Sequence, residues 1–350
     1  MRTYKKTGTK NGGRSARRWL AIGSIILGTL VFAAYASGAP AERAKTGPAT
    51  TSKVSAGFTF TDDRGVTITL DKRPTRIVAY ETPAAALWYV GIKPVAIFGS
   101  VSLEDSPLLD GVDVRGIQSL GKVYGEINLE KLAALKPDLI VTAYNPKFKP
   151  LWGFKDEKLE KKMGAFAPIV AINGVKSPTQ VIARFRALGV ALGADLKSSG
   201  QVKVKRDFDA SVKALRSAAK SKPGLKVLAI ANYSGDEIFF AKPKDFPELR
   251  QYQSWGVKLV VPGGKDDYYD TASWEQADKY PADLILYDTR AGGVDLKQLN
   301  KKPTWRALPA VKAGQIVAWQ GQEDWSYQLY TRDIKKLTAA IRKANPNLVP

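Results

Sequence analysis

Gly125–Thr142 reads GEINLEKLAALKPDLIVT, and Thr271–Asp288 reads TASWEQADKYPADLILYD. Each stretch runs a small or polar residue, an aliphatic or aromatic one, Glu, a short helical segment, Pro or Pro-Ala, then Asp-Leu-Ile and an apolar strand. Glu130 and Glu275 hold the same place, on the first turn of the helix that leads into the strand. Repeats this far apart do not stack as a solenoid does. They predict two α/β lobes of similar design, each showing one carboxylate at a matching surface position.

The flanking sequence extends the pattern. Phe58–Leu70 alternates around Asp62-Asp63-Arg64-Gly65, a hairpin with an Asp/Gly turn. Arg76–Tyr80, Pro94–Phe98, Leu139–Ala143 and Ile169–Ile172 are strand-like, with a helical stretch from Tyr80 to Val90. Strands alternating with helices predict a parallel sheet covered by helices. Ser177-Pro178 starts a helix whose face is Val181, Phe185, Leu188 and Leu192, stopped by Gly193. Val204, Phe208, Val212, Leu215 and Ala219 carry a second stripe from about Leu196 to Ala219, which Lys222-Pro223-Gly224 ends. That helix is long enough to cross from one lobe to the other. Strands resume at Lys226–Ala231, Val257–Val261, Leu284–Tyr287 and Ile316–Trp319, and a last helix carries Tyr330, Ile334, Leu337 and Ile341 on one face. The expected architecture is α/β, with two Rossmann-like lobes joined by one long rigid helix and a ligand cleft between them. Its divisions are 1–36, an export signal or membrane anchor; 37–56, a flexible linker; 57–194, the N-terminal lobe; 195–222, the helix; and 223–350, the C-terminal lobe.

Composition narrows the chemistry. The 350 residues include no cysteine, which removes disulfides, thiol catalysis, thiolate metal sites and a lipid-anchored N-terminus. They include no histidine either, and with it go imidazole base catalysis and the commonest ligand of zinc or haem. The net charge is +21; Arg2, Lys5, Lys6, Lys10, Arg14, Arg17 and Arg18 precede any acid, and removing those seven leaves +14. Trp19–Ala41 is uncharged, and Ala34-Tyr35-Ala36 suits a cleavage site. This is an export signal, partly of twin-arginine type at Arg17-Arg18, and its apolar core is also long enough to stay as an anchor. The remaining lysines are dispersed rather than clustered with aromatics, which speaks against nucleic acid.

With both lobes and their connecting helix in view, the chain resembles the periplasmic-type binding proteins of iron–siderophore and vitamin B12 ABC importers. The resemblance covers about residues 57–345 and rests on DDRGVTITLDKRPTRIVAY, GEINLEKLAALKPDLIVTAY, SWEQADKYPADLILYD and WRALPAVKAGQIVAW. It implies an exported, monomeric protein that captures a ferric siderophore, hydroxamate in type, and delivers it to the permease dimer of an ABC importer without doing chemistry or carrying a cofactor. By motif position, Glu130 and Glu275 would dock into cationic pockets of the permease, two like charges forming a two-point key. Standing alone, each Glu would be explained by the positive end of its helix.

Ligand in an α/β protein lies at the carboxyl ends of the strands. The residues there are aromatic: Tyr80, Tyr124, Tyr144, Trp152 and Phe154 from the first lobe; Tyr233, Tyr268, Tyr269, Trp319, Trp325 and Tyr327 from the second, with Arg290. Aromatic walls with phenol and guanidinium donors suit the apolar shell and exposed oxygens of a ferric hydroxamate. Tyr144, and Trp325 with Tyr327, are the leading candidates. Arg290 has an alternative partner in Asp288. Related proteins often carry arginine where this chain has Tyr124. Cobalamin, haem, or bare Fe(III) held by Tyr268 and Tyr269 are the alternatives, although on an extended segment adjacent tyrosines point to opposite sides. No GxSxG elbow, phosphate-binding loop or histidine metal motif supports an enzyme.

Overall fold

The hairpin fixes the start of the fold. β1 (Phe58–Thr61) pairs antiparallel with β2 (Thr67–Leu70), Phe58 opposite Leu70 and Phe60 opposite Ile68, with these four side chains turned inward or half-buried. At its turn, buried Asp62 accepts the amides of Arg64 and Val66 and, from a distant strand, that of Ala171. This computed structural model describes residues 57–233, 236–289, 296–320 and 324–350. One compact unit, residues 54–350, holds every element and core cluster that follows.

The N-terminal lobe continues with β3 (Ile77–Tyr80), α1 (Glu81–Trp88), β4 (Ala96–Phe98), β5 (Gln118–Ser119), α2 (Leu129–Leu135), β6 (Leu139–Tyr144), α3 (Glu157–Gly164), β7 (Ile169–Asn173) and α4 (Pro178–Ala191). The sheet order is β5-β4-β3-β6-β7 with every neighbour parallel. The order reverses between β3 and β6, the switch point beyond which ligands bind in sheets of this kind. α4 begins as its sequence predicts, with Pro178 in the first turn and Gln180 Oε1 accepting the Ser177 amide at 3.1 Å. α5 (Ser199–Ser221) is the long connector, 23 residues or about 34 Å.

In the C-terminal lobe come β8 (Val227–Ala231), β9 (Glu237–Ala241), α6 (Pro247–Ser254), β10 (Tyr269–Ser273), β11 (Leu284–Asp288), α7 (Leu296–Leu299), α8 (Pro303–Ala307), α9 (Pro309–Lys312), β12 (Ile316–Trp319) and α10 (Tyr327–Lys343). The order is β10-β9-β8-β11-β12. β8, β11 and β12 are parallel, whereas β9 runs antiparallel to both β8 and β10. The expected strand at Val257–Val261 is not among these. The run meets the sheet only at Val227 of β8, whose amide donates to the Lys258 carbonyl and whose carbonyl accepts the Val260 amide; Val257 packs into the core and Val261 is 66% exposed, so no longer ladder forms.

The internal repeat has a structural counterpart with one difference. Asp138, at the mouth of β6, accepts the amides of Thr75 and Arg76 where β3 begins. Asp283, at the mouth of β11, accepts the amide of Lys226 where β8 begins, at 2.8 Å. Each Asp thus staples its strand to the inner neighbour. The helix before it is a full α-helix in the first copy, but a single 3₁₀ turn, Trp274–Gln276, in the second. There β10 runs up to Ser273 and Pro281 soon follows, and Trp274 is committed to the core edge-on against Trp305.

Trp325 crosses between lobes. It follows β12 in sequence, yet is 2% exposed within the N-terminal core, stacked on Trp152 at 5.7 Å and on Phe185 at 5.5 Å. Gly174 makes room for it: a Cβ there would stand 2.8 Å from the Trp152 ring and 2.9 Å from that of Trp325.

Candidate functional site

Two aromatic groups stand where the sheets reverse. In the first lobe Tyr80, expected at the cleft surface, ends β3 as a core residue 6% exposed, and exposed Tyr124 meets it edge-on at 6.4 Å. Tyr124 is 47% exposed, and its hydroxyl oxygen accepts the Gly153 amide at 3.2 Å. Gly153 has φ +82, and a Cβ on it would collide with the Tyr80 and Phe98 rings at 2.7 and 2.5 Å. In the second lobe Tyr233 follows β8 and Asp288 ends β11, the corresponding switch point. The Tyr233 hydroxyl donates to Asp288 Oδ2 at 2.8 Å and lies 2.9 Å from the Tyr269 hydroxyl. With Tyr233 donating to the carboxylate, the Tyr269 hydroxyl is the donor in the second contact. Phe239 completes this group, 5.5 Å from Tyr233 and 5.6 Å from Tyr269.

Other candidates are placed elsewhere. The Tyr144 hydroxyl donates to the Asp63 carbonyl at 2.8 Å, leaning toward the hairpin, and burial, then the Asp63 and Asp62 charges, push its phenol up. Trp152 is half-buried beneath its stack on Trp325. Trp325 and Trp319 were expected on the cleft surface, but both are core residues, Trp319 being 3% exposed and edge-on to Phe246 at 5.2 Å. Tyr327 faces the connecting helix, 4.6 Å from Phe208, with the Arg186 guanidinium 4.9 Å above its ring. Phe154 is fully buried against Phe98. Arg290 lies outside the described residues. Tyr268 and Tyr269 do not diverge as an extended pair would. Tyr268 has φ +67, so both rings reach Phe246, at 5.6 and 5.3 Å. No group of three or more His, Cys, Asp or Glu suited to a metal occurs among the described residues.

Sequence reading missed three residues at this seam. Asn145 Nδ2 donates across the lobes to the Tyr268 hydroxyl at 3.3 Å, while its Oδ1 accepts the Lys147 amide. Phe148, on the same turn, is 57% exposed. Phe239 had a usable signal, since EIFFA alternates and buries Ile238 and Phe240 on the other face. More ties run beside it: Arg250 donates to the Val175 carbonyl and Thr179 to Gln251 Oε1.

At another lobe contact, the Arg332 guanidinium on α10 meets Asp110 of the first lobe as well as Asp333 at 2.9 Å and Asp324 at 3.6 Å. Burial, and then the hydrogen bond with Asp333, push the buried Asp324 carboxyl well up. Burial also raises Asp333, but hydrogen bonds from Asp324 and Arg332 outweigh it and the net shift is downward. The pair therefore shares a proton that Asp324 retains. From about pH 4, the ordinary carboxylate range, up to the raised folded value, the native state binds more protons than the unfolded state, so this pair makes stability fall as pH rises. Asp324→Asn removes that titration. Melting curves across pH should show the variant gaining on the parent toward alkaline pH; parallel curves would count against the shared proton.

Glu130 is exposed at the start of α2, where Asn128 Oδ1 caps the Lys131 amide. Glu275 is exposed on its 3₁₀ turn, and hydrogen bonds from the Ser273 hydroxyl and from its own backbone hold its carboxyl below the usual range. Neither makes an ion pair with a described residue.

Two α/β lobes whose sheets reverse at aromatic groups have the architecture of a solute-binding protein. The family model described as periplasmic binding protein matches residues 77–323, and the chain belongs to that family. Its fold is similar to that of DesE, a ferric-siderophore receptor protein from Streptomyces coelicolor: 34% identity and a TM-score of 0.77 over 82% of this chain and 99% of that one. The Fe(3+)-citrate-binding protein YfmC of Bacillus subtilis is 24% identical over 261 residues, 73% of this chain and 76% of that protein. The probable siderophore-binding lipoprotein YfiY of the same organism is 26% identical over 276 residues, 71% of this chain and 76% of that one.

Proposed function

We propose that this protein captures a ferric siderophore between its lobes outside the cytoplasm and presents it to the permease of an ABC importer. The observation that carries this reading is the pair of phenol-bearing aromatic groups at the two switch points, Tyr80 with Tyr124 and Tyr233 with Tyr269. The named ligands of the relatives, a ferric siderophore and ferric citrate, support it. The described side chains at the two switch points are phenols, with the Asp288 carboxylate buried behind Tyr233, rather than a ring of cations. Such a wall suits a chelate of low charge, which favours a hydroxamate over a citrate or catecholate complex. The protein acts as a carrier: iron stays in its chelator, and Glu130 and Glu275 serve as the docking carboxylates. Among the described residues no helix is long and apolar enough to cross a membrane, and residues 1–36 supply the export signal or anchor.

The test is a titration of residues 54–350 with ferric hydroxamate, catecholate and citrate chelates, haem, cobalamin and free Fe(III), read by tryptophan quenching. One chelate class should bind tightly. Tyr124→Ala and Tyr233→Ala, both at exposed side chains, should each weaken binding about tenfold while the fold is retained. Silence toward every chelate would overturn the reading. Binding of free iron alone, with a phenolate colour lost in Tyr269→Phe, would replace it by direct Fe(III) capture.

A further inference from the structure

The loop before α2 and the start of α3 enclose a groove of about 720 Å³. Two glycines bring its walls together. A Cβ on Gly125, at φ +74, would stand 2.5 to 2.9 Å from Lys155, and one on Gly121 would stand 1.9 Å from the Glu126 carbonyl oxygen. Lys122, Lys155, Lys158 and Lys162 line the groove and are all exposed. None of the four ammonium groups makes an ion pair or hydrogen bond with a described residue. Elsewhere exposed lysines do find carboxylates: Lys203 meets Asp207, Lys205 meets Asp209 and Lys279 meets Asp270. Of the two carboxylates in the groove, Asp156 spends Oδ1 on the Leu159 amide at 2.7 Å, capping α3.

Four ammonium groups set against the two carboxylates Glu126 and Asp156 leave the hollow with a net positive charge, which an entering anion offsets. The hollow is also continuous with the start of α2, since Asn128 and Leu129 line it and Glu130 comes next. This face therefore leaves charge of both signs unpaired, and a cationic permease socket can satisfy only the glutamate. A concave site rimmed by flexible ammonium groups fits a phosphate on a small headgroup, which the membrane around a permease presents at high density.

We propose that this groove binds the phosphate of an anionic phospholipid at the membrane surface, beside the point where Glu130 docks. The inference borrows from the docking reading only the direction in which Glu130 faces, and its test needs neither chelate nor permease. Residues 54–350, free of the N-terminal apolar segment, are sedimented with phosphatidylcholine vesicles with and without phosphatidylglycerol, at low and high salt. Binding should require phosphatidylglycerol, and salt should weaken it. Changing Lys122, Lys155, Lys158 and Lys162 together to Gln should weaken it by at least about tenfold. The matched control changes Lys213, Lys220, Lys297 and Lys343, exposed in other parts of the chain, and should retain most of the binding. Glu130→Gln should leave vesicle binding intact, which separates this site from docking. Competition by inorganic phosphate as strong as by vesicles would assign the groove to a free anion. Equal loss in the control set, or no preference for phosphatidylglycerol, would overturn the proposal. So would groove variants that bind vesicles normally but fail in uptake, which would assign the lysines to an acidic permease surface.

Discussion

The Glu130→Ala, Glu275→Ala double variant is expected to abolish uptake of the ferric chelate while leaving its affinity within about a factor of two. Both side chains are exposed and lie on different lobes, so their loss leaves the core of each lobe intact. Removing one partner of a desolvated charge pair costs about 2 kcal/mol or more. Two such losses weaken docking by roughly a thousandfold. Each single variant should fall between parent and double, since in the proposed docking one anchor raises the effective concentration of the other. The comparison needs chelate affinity from fluorescence and uptake of radiolabelled iron in the producing cell. Full uptake by the double variant would return both glutamates to their local role at the start of a helical turn.

A second large effect is expected at Trp325. Its ring is closed in by Trp152 on one side and Phe185 on the other, and Gly174 leaves no space to refill a void. Trp325→Ala should cost about 3–5 kcal/mol of stability. Denaturant titration should give a lower midpoint, and Trp325→Phe should recover part of the loss. A cost below about 1 kcal/mol would mean that the stack is not what binds the lobes. Because Trp152 shares the stack, this variant would also disturb quenching signals by an indirect route. A change in chelate-induced fluorescence on mutating Trp325 is thus no evidence of contact with ligand.

The sequence made the inner parts of each sheet legible because local rules set them. Asp-Leu-Ile after proline marks where β6 and β11 begin, alternation around DDRG marks the hairpin, and the 3.6-residue stripe through Phe208 and Leu215 marks α5. The edges were less legible. Val257–Val261 is as apolar as a strand, but whether such a run pairs or packs depends on what lies beside it. β9 and β10 escaped notice because β10 joins the sheet only through β9, across a long connection containing α6. The site was readable to the level of which strand ends carry phenols. The sequence could not distinguish a cleft aromatic from a core one: Tyr124 and Trp325 are equally aromatic and equally near a strand end, and only the stack on Phe185 separates them. Asn145 carried no signal, since its partner Tyr268 is remote in sequence and belongs to the other lobe.

The position of Trp325 also bears on the order in which the protein can form. Nearly all of the chain must have left the ribosome before this residue exists, yet the first lobe needs it to close its own core. Synthesis therefore delivers an N-terminal lobe with a hole between Trp152 and Phe185, and that lobe stays incomplete until α10 begins. A fragment ending after α5 should accordingly be loose and protease-sensitive, and exchange of the Trp325 segment between two nascent chains is the misassembly this topology invites.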